Sequence, residues 1–103
     1  MAKILETKEE FNELISNNKK VLVDFYADWC PPCKMLSPII ESLSNSVKDC
    51  EIVKLNTDNN PEIKEEYNVQ SIPTLILFED GKPVKENVGF MQEGDIISFI
   101  GNK

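Results

Sequence analysis

A run of apolar residues at positions 21–27 constrains the fold of this 103-residue chain more than any other feature. The run is apolar at every position except Asp24, and it is rich in β-branched and aromatic side chains. Such a run, without alternation of polar residues, is typical of a strand that is buried on both faces of its sheet. The sequence therefore predicts an α/β fold in which helices cover both faces of a central sheet.

Four further strands are predicted from short apolar segments. The Asp80-Gly81 pair predicts a tight turn, which joins the last two strands as an antiparallel hairpin. The four strands are residues 4–5, 52–56, 74–78 and 83–88.

Helical patterns fill the intervals between the strands. Thr7 and Glu10 indicate a capping box at the start of the first helix, and Asn60 reads as the N-cap of the third. Pro38 lies inside the second helix, where a proline is expected to kink the axis. The apolar stripes of the four helices span residues 11–15, 35–47, 63–67 and 93–100.

The predicted order is β-α-β-α-β-α-β-β-α within one domain, residues 1–103. Alternating strands and helices give parallel strands joined by right-handed crossovers, and the closing hairpin adds antiparallel strands. We therefore expect a mixed sheet of five strands that is flanked by four helices.

Charge and composition exclude several classes of protein. The formal net charge is −7 and the 11 Lys and Arg residues are scattered, so no basic face is expected for nucleic acid or an anionic membrane. The chain has no histidine, which excludes Ser-His and Cys-His catalytic pairs. No apolar run approaches bilayer length and the N-terminal residues do not resemble a signal peptide, so a cytoplasmic protein is expected.

Two of the three cysteines, Cys30 and Cys33, are separated only by Pro31 and Pro32. Cys30 falls where the buried strand ends and the second helix begins, and the partial positive charge of a helix N-terminus favours a thiolate there. Cys33 lies about one helical turn further in. We therefore expect one exposed attacking sulfur and one shielded resolving sulfur, the pair that thiol-disulfide exchange needs.

Two other interpretations compete with a redox dithiol. A structural disulfide between Cys30 and Cys33 would close a very short loop and contribute little stability. A zinc site needs four ligands, and with no histidine and one further cysteine, Cys50, it would require a dimer or carboxylates. The redox dithiol is favoured, and Cys50 is expected to be a small buried apolar side chain, with a regulatory or dimerising thiol as the alternative.

Asp24 is the exception within the apolar run. If its carboxyl group is buried with the rest of the strand, desolvation should raise its pKa, which suits a proton acceptor. The competing interpretation is an aspartate whose side chain reaches solvent at the edge of the sheet.

Residues 23–34, VDFYADWCPPCK, resemble the active-site segment of the thioredoxin family. The resemblance continues through the proline-containing second helix, the strand and turn at residues 53–58, the Ser71-Ile72-Pro73-Thr74 loop and the glycine at position 89. It covers essentially the whole chain, with the motifs in the family's order, and implies the thioredoxin fold.

The resemblance implies a role for each matching residue. Cys30 would attack a substrate disulfide, and Cys33 would resolve the resulting mixed disulfide. Asp24 would lie beneath the pair and accept the proton of Cys33 through a water, with Lys54 nearby. The competing interpretation of Lys54 is a solvated strand lysine.

The resemblance also implies a surface for substrates and a set of partners. Pro73 would follow a cis peptide bond, and Ile72 would pair with an extended substrate by strand addition. The protein would be a monomer without a bound cofactor, acting on disulfide-containing proteins with electrons from NADPH through a thioredoxin reductase. The substrate-binding residues would be Trp29, Pro31, Pro32, Ile72, Pro73 and Gly89.

Three residues depart from the commonest family pattern: Pro31 and Ser71 stand where many members have glycine, and Phe90 where many have a smaller residue. Ser71 and Phe90 could change which partners dock, whereas Pro31 stiffens the turn between the cysteines and is expected to change the reduction potential. The favoured function is a protein-disulfide reductase. The alternatives are a disulfide oxidant or isomerase, and a scaffold subunit in which the cysteines are incidental.

Overall fold

Strand β2 (Lys20–Tyr26) lies at the centre of a five-stranded sheet, as the apolar run predicts. The computed structural model describes residues 2–101, and the order of elements is the predicted one. The elements around β2 are β1 (Lys3–Leu5), α1 (Lys8–Asn17), α2 (Pro31–Ser46), β3 (Glu51–Asn56), α3 (Pro61–Glu66), β4 (Thr74–Glu79), β5 (Lys82–Val88) and α4 (Glu93–Ile100).

The sheet is mixed, with the strand order β1-β3-β2-β4-β5. Strands β1, β3 and β2 are parallel, whereas β4 is antiparallel to β2 and to β5. The third helix therefore does not produce a parallel crossover: β4 is placed on the far side of β2 from β3. The hairpin turn is as predicted, with positive φ values of 53° at Asp80 and 82° at Gly81.

The side chains of β2 alternate between two apolar cores. Val23 and Phe25 pack on one face with residues of α1 and α3, which we call the α1/α3 face. Leu22 packs on the other with Leu36 of α2 and Ile96 of α4, which we call the α2/α4 face. Both faces of the strand are thus buried, as a continuous apolar run requires.

The helix starts agree only in part with the predicted caps. The Thr7 hydroxyl accepts the backbone N–H of Glu10 at 3.0 Å, but the Glu10 carboxylate accepts the N–H of Glu6, one residue outside the predicted box. Asn60 is the N-cap residue of α3, as predicted, but its side chain makes no cap bond: its amide N–H donates to the carbonyl of Asn56 instead. A local hydrogen bond to the end of β3, four residues earlier, therefore takes the place of the side-chain cap.

No helix within residues 2–101 is long and apolar enough to cross a bilayer.

Candidate active site

The end of β2 and the start of α2 bring the two cysteines together. Cys30 is the N-cap residue of α2, and its sulfur accepts the backbone N–H of Cys33 at 3.2 Å. Cys30 and Cys33 form a disulfide with a Cα separation of 5.2 Å. Pro31 and Pro32 occupy the first turn, where a missing N–H costs no helical hydrogen bond. The Cys30 sulfur therefore lies where a negative charge meets an N–H donor and the positive end of a helix.

The expected contrast in exposure between the two cysteines is wrong for this disulfide-bonded state. Both residues are 3% exposed, and they pack with Ala27, Tyr26 and Ile72. A disulfide covers each sulfur with the other, and the adjacent loop covers the pair. Cys30 differs from Cys33 in its position, since the Cys30 Sγ lies 3.8 Å from the carbonyl oxygen of Ile72.

The Ile72–Pro73 segment lies beside the disulfide and pairs with the backbone at Gly89. The Ile72–Pro73 peptide bond is cis, as the resemblance predicts, and the Pro73 carbonyl accepts the N–H of Gly89 at 2.7 Å. Gly89 has φ of 103°, a conformation that favours glycine, and a Cβ atom there would meet nothing within 4 Å. The backbone at Gly89 therefore faces open space, into which another chain can come close.

Trp29 borders the same region. Its side chain lies at the surface, with the residue 66% exposed, and its indole N–H donates to the Asp58 carboxylate at 2.8 Å. The sequence interpretation did not identify Asp58 as the group that orients this ring. Met35, Val88 and Phe90 are further exposed apolar residues.

Asp24 is fully buried on the α2/α4 face, so the interpretation as a solvent-reaching edge aspartate is wrong. Its exposed fraction is 0%, and neither carboxylate oxygen has a hydrogen-bond partner among the residues that the structure describes. Burial raises the pKa of this carboxyl group to about 7, and the positive charge of Lys54 opposes that rise. The group is therefore poised to exchange a proton near neutral pH.

Lys54 pairs with Asp24 in the register of β2 and β3. The residue is only 8% exposed, so the solvated interpretation is wrong. Its ammonium donates to the Ser37 hydroxyl at 2.8 Å, lies 4.0 Å from the Glu41 carboxylate, and lies 4.8 Å from the centre of the Tyr26 ring.

The sequence interpretation missed Ser37 and Glu41, although a signal was present. Cys33, Ser37 and Glu41 follow one another at intervals of four, which places them on one side of α2. A cleft of about 170 Å³ runs along this side, lined in part by Cys33, Ser37, Lys54 and Tyr26.

Cys50 does not join the site. It precedes β3, whereas Cys30 follows β2, and because these strands are parallel the two cysteines lie at opposite ends of the sheet. Cys50 is a buried free thiol packed in the α2/α4 core, as expected of a small apolar side chain. Burial raises its pKa to about 11. Within residues 2–101, no group of three or more His, Cys, Asp or Glu residues is placed to hold a metal ion.

Comparisons with known proteins agree with this geometry. The family model named Thioredoxin matches residues 2–102. The chain is 46% identical to a thioredoxin of Mycoplasmoides gallisepticum over 98 residues, covering 95% of this chain and 98% of the relative. It is 47% identical to a thioredoxin of Chlamydia caviae over 100 residues, covering 97% and 96%.

Solved structures extend the similarity to the fold. A mutant thioredoxin from Halobacterium salinarum superposes with a TM-score of 0.91 at 38% identity, covering 96% of this chain and 87% of that one. A Plasmodium falciparum thioredoxin gives a TM-score of 0.91 at 32% identity, covering 97% of each chain.

Proposed function

The chain belongs to the thioredoxin family, and we propose that it reduces protein disulfides with Cys30 as the attacking sulfur and Cys33 as the resolving sulfur. One observation carries this assignment of roles: the Cys30 sulfur caps α2 and accepts the N–H of Cys33 at 3.2 Å. A thiolate formed at Cys30 is stabilised by that donor and by the helix dipole, whereas Cys33 lies inside the helix.

In the first step, the Cys30 thiolate attacks one sulfur of a substrate disulfide. A bond forms between Cys30 and that sulfur, and the substrate disulfide breaks. The electron pair leaves on the other substrate sulfur, which takes up a proton. The position of Cys30 beside the Ile72 carbonyl supports this order of events, because an incoming disulfide along the Ile72–Pro73 segment would meet Cys30.

In the second step, Cys33 loses its proton and attacks the Cys30 sulfur. The Cys30–Cys33 bond forms, the mixed disulfide breaks, and the substrate leaves as a second thiolate that takes up a proton. We propose that Asp24 accepts the proton of Cys33 through water. A buried carboxyl group with a pKa of about 7 and no hydrogen-bond partner among residues 2–101 supports this role. Lys54 would tune Asp24 electrostatically.

The substrate would bind beside the disulfide in an extended conformation. The backbone of Ile72 is suited to strand addition, since the Ile72–Pro73 loop flanks Cys30 and the Gly89 backbone faces open space. Apolar contacts would come from exposed side chains around the cysteines. The proposed substrate-binding residues are Trp29, Pro31, Pro32, Ile72, Pro73 and Gly89.

Members of this family need no bound cofactor. We propose that a thioredoxin reductase returns electrons from NADPH to the Cys30–Cys33 disulfide, and that the protein acts as a monomer. The cytoplasm is the proposed compartment, because a reducing dithiol must be kept reduced to work repeatedly.

Reduction of insulin by dithiothreitol tests the proposal, with the wild type compared with Cys30→Ser. We expect the substitution to abolish the acceleration, because a hydroxyl group at this position is a far weaker nucleophile than a thiolate. Cys50→Ser is the matched control and should retain activity, since Cys50 lies at the other end of the sheet. Activity that persists in Cys30→Ser would overturn the assignment.

A further inference from the structure

Two side chains of α2 hold the ammonium group of Lys54. The Ser37 hydroxyl accepts a hydrogen bond from Nζ at 2.8 Å, and the Glu41 carboxylate lies 4.0 Å away. The Tyr26 ring lies 4.8 Å from the same nitrogen. Three groups therefore surround the ammonium, two from α2 and one from β2, although the Lys54 backbone belongs to β3.

Asp24 lies beside Lys54 in the sheet, yet within residues 2–101 it forms neither a hydrogen bond nor an ion pair with the Lys54 ammonium. The two residues are register partners on parallel strands, so their side chains project from the same face. Neither oxygen of Asp24 has a hydrogen-bond partner within residues 2–101, and the ion pair of Lys54 is with Glu41. A buried carboxylate is ordinarily stabilised most by an ion pair with the nearest cation. Here the nearest cation, the Lys54 ammonium, is bound by Ser37 and Glu41 instead.

We propose that Ser37 is a positioning residue for the resolving step: its hydroxyl holds the Lys54 ammonium on α2, away from Asp24, and so keeps the carboxyl group a free proton acceptor. This inference rests on the proposed role of Asp24 as the base for Cys33. It concerns a residue of α2 that touches neither sulfur and acts only through Lys54.

The consequence of losing the hydroxyl follows from electrostatics. A lysine ammonium without its Ser37 partner can move towards the unpaired carboxyl group of Asp24. An opposite charge within hydrogen-bond distance favours the ionised carboxylate and lowers its pKa. Asp24 would then be a weaker base, and the acid limb of the resolving step would move to lower pH.

The other polar and charged groups in this region do not control the pKa of Asp24 in the way that Lys54 does. From β2 itself comes the Tyr26 phenol, Asp28 lies in the turn that follows β2, and β4 presents the apolar Leu75 opposite Asp24. Along α2, Lys34 and Cys33 line the cleft with Lys54. Of the contacts described for Lys54, the bond to Ser37 is the shortest.

Carbon-13 NMR titration of the Asp24 carboxyl group in the oxidised protein tests the first half of the proposal, because disulfide-bonded cysteines do not titrate there. We expect Ser37→Ala to lower the apparent pKa of Asp24 by about one unit. Ser37→Thr retains the hydroxyl and should restore the wild-type value. Ser42→Ala, an exposed change on the same helix, is the matched control and should have no effect.

A double-mutant cycle assigns the effect to Lys54. In a Lys54→Met background, Ser37→Ala should no longer move the Asp24 titration, since no ammonium remains to be released. An unchanged or raised pKa in Ser37→Ala, or a shift that survives without Lys54, would overturn the proposal.

The second half of the proposal, the pH dependence of the resolving step, is tested by measuring the rate at which Cys33 resolves a Cys30–thionitrobenzoate mixed disulfide. Cys33 attacks the Cys30 sulfur, the Cys30–Cys33 bond forms, and the coloured thionitrobenzoate ion leaves. The acid limb of this rate should shift in Ser37→Ala by the amount seen in the titration. If Asp24→Asn leaves the acid limb unchanged, the base assignment itself fails; if Asp24→Asn removes it and Ser37→Ala does not move it, only the role of Ser37 fails.

Discussion

The two faces of β2 are equally buried from solvent but differ in chemistry. On the α1/α3 face, Val23 and Phe25 are fully buried among apolar side chains. On the α2/α4 face, Asp24 is just as completely buried, one position along the same strand, next to Lys54 of β3. The same removal of water stabilises the first face and destabilises the charged form of the second.

This difference explains how a small protein maintains a carboxyl group that can titrate near neutral pH. The α1/α3 face contributes packing free energy through Phe11, Tyr67 and Phe78, whose ring centroids lie 5.3 to 5.6 Å apart. That packing offsets the cost of holding Asp24 without a hydrogen-bond partner on the other face. Three measurements test this contrast between buried apolar packing and buried titratable groups. They are given in order of decreasing expected effect.

The largest effect is expected on the α1/α3 face. Phe11→Ala should lower the free energy of unfolding by about 3–5 kcal/mol, because it removes a fully buried ring and leaves a cavity. Urea denaturation of the oxidised protein measures the loss. The Asp24 titration should not change, since Phe11 packs on the opposite face of the sheet; a shifted titration would show that the two faces are not independent.

The next effect concerns the pH dependence of stability. The pKa of Asp24 is about 7 in the folded state and 3.8 for an ordinary aspartate, so between these pH values the folded protein binds more protons than the unfolded chain. The contribution of Asp24 to stability is therefore present at low pH and lost as pH rises through about 7. About three pKa units at 1.36 kcal/mol each give a loss of up to about 4 kcal/mol.

Asp24→Asn is the matched variant for this measurement, because it keeps the shape and removes the titration. Urea unfolding at pH 4 and pH 8 should show that the difference between wild type and variant grows in favour of the variant at the higher pH. A difference that does not vary with pH would mean that the carboxyl group is solvated in the folded state.

The smallest effect compares the two kinds of buried thiol. Burial raises the pKa of Cys50 from 9.0 to about 11, which lowers its thiolate population at neutral pH by roughly 100-fold. Iodoacetamide should therefore label Cys30 in the reduced native protein well before Cys50, as measured by peptide mass spectrometry. Labelling in urea is the control, where both should react, and rapid native labelling of Cys50 would contradict the buried assignment.

Patterns within single segments predicted most of the fold. The apolar run identified β2 as a central strand, and the Asp80-Gly81 pair identified the hairpin, because both signals depend on local conformation and burial. The antiparallel placement of β4 against β2 was not specified by the order of elements. Asn60 is the N-cap residue that the sequence predicted, but its side chain makes no cap bond, and its amide N–H donates to the Asn56 carbonyl.

The sequence predicted some residues and properties of the candidate site and missed others. Cys30 and Cys33 were found from their spacing and from the strand-to-helix junction. The contrast in exposure between them was not, because the disulfide and the Ile72–Pro73 loop cover both sulfurs. Ser37 and Glu41 were missed: their spacing from Cys33 places them on one side of α2, but that spacing does not show that a lysine from β3 reaches them.

The sequence by itself determined the elements, the position of the dithiol at the start of a helix, and the presence of a carboxyl group within a buried strand. Each of these follows from side-chain periodicity and from backbone preferences that act over a few residues. Tertiary structure decided which groups face that carboxyl group: it brought Lys54 alongside, tied its ammonium to Ser37, and left Asp24 without a hydrogen-bond partner within residues 2–101. The reason is that the energy of a buried charge depends on its nearest neighbours in space, and those neighbours come from strands and helices far apart in the chain.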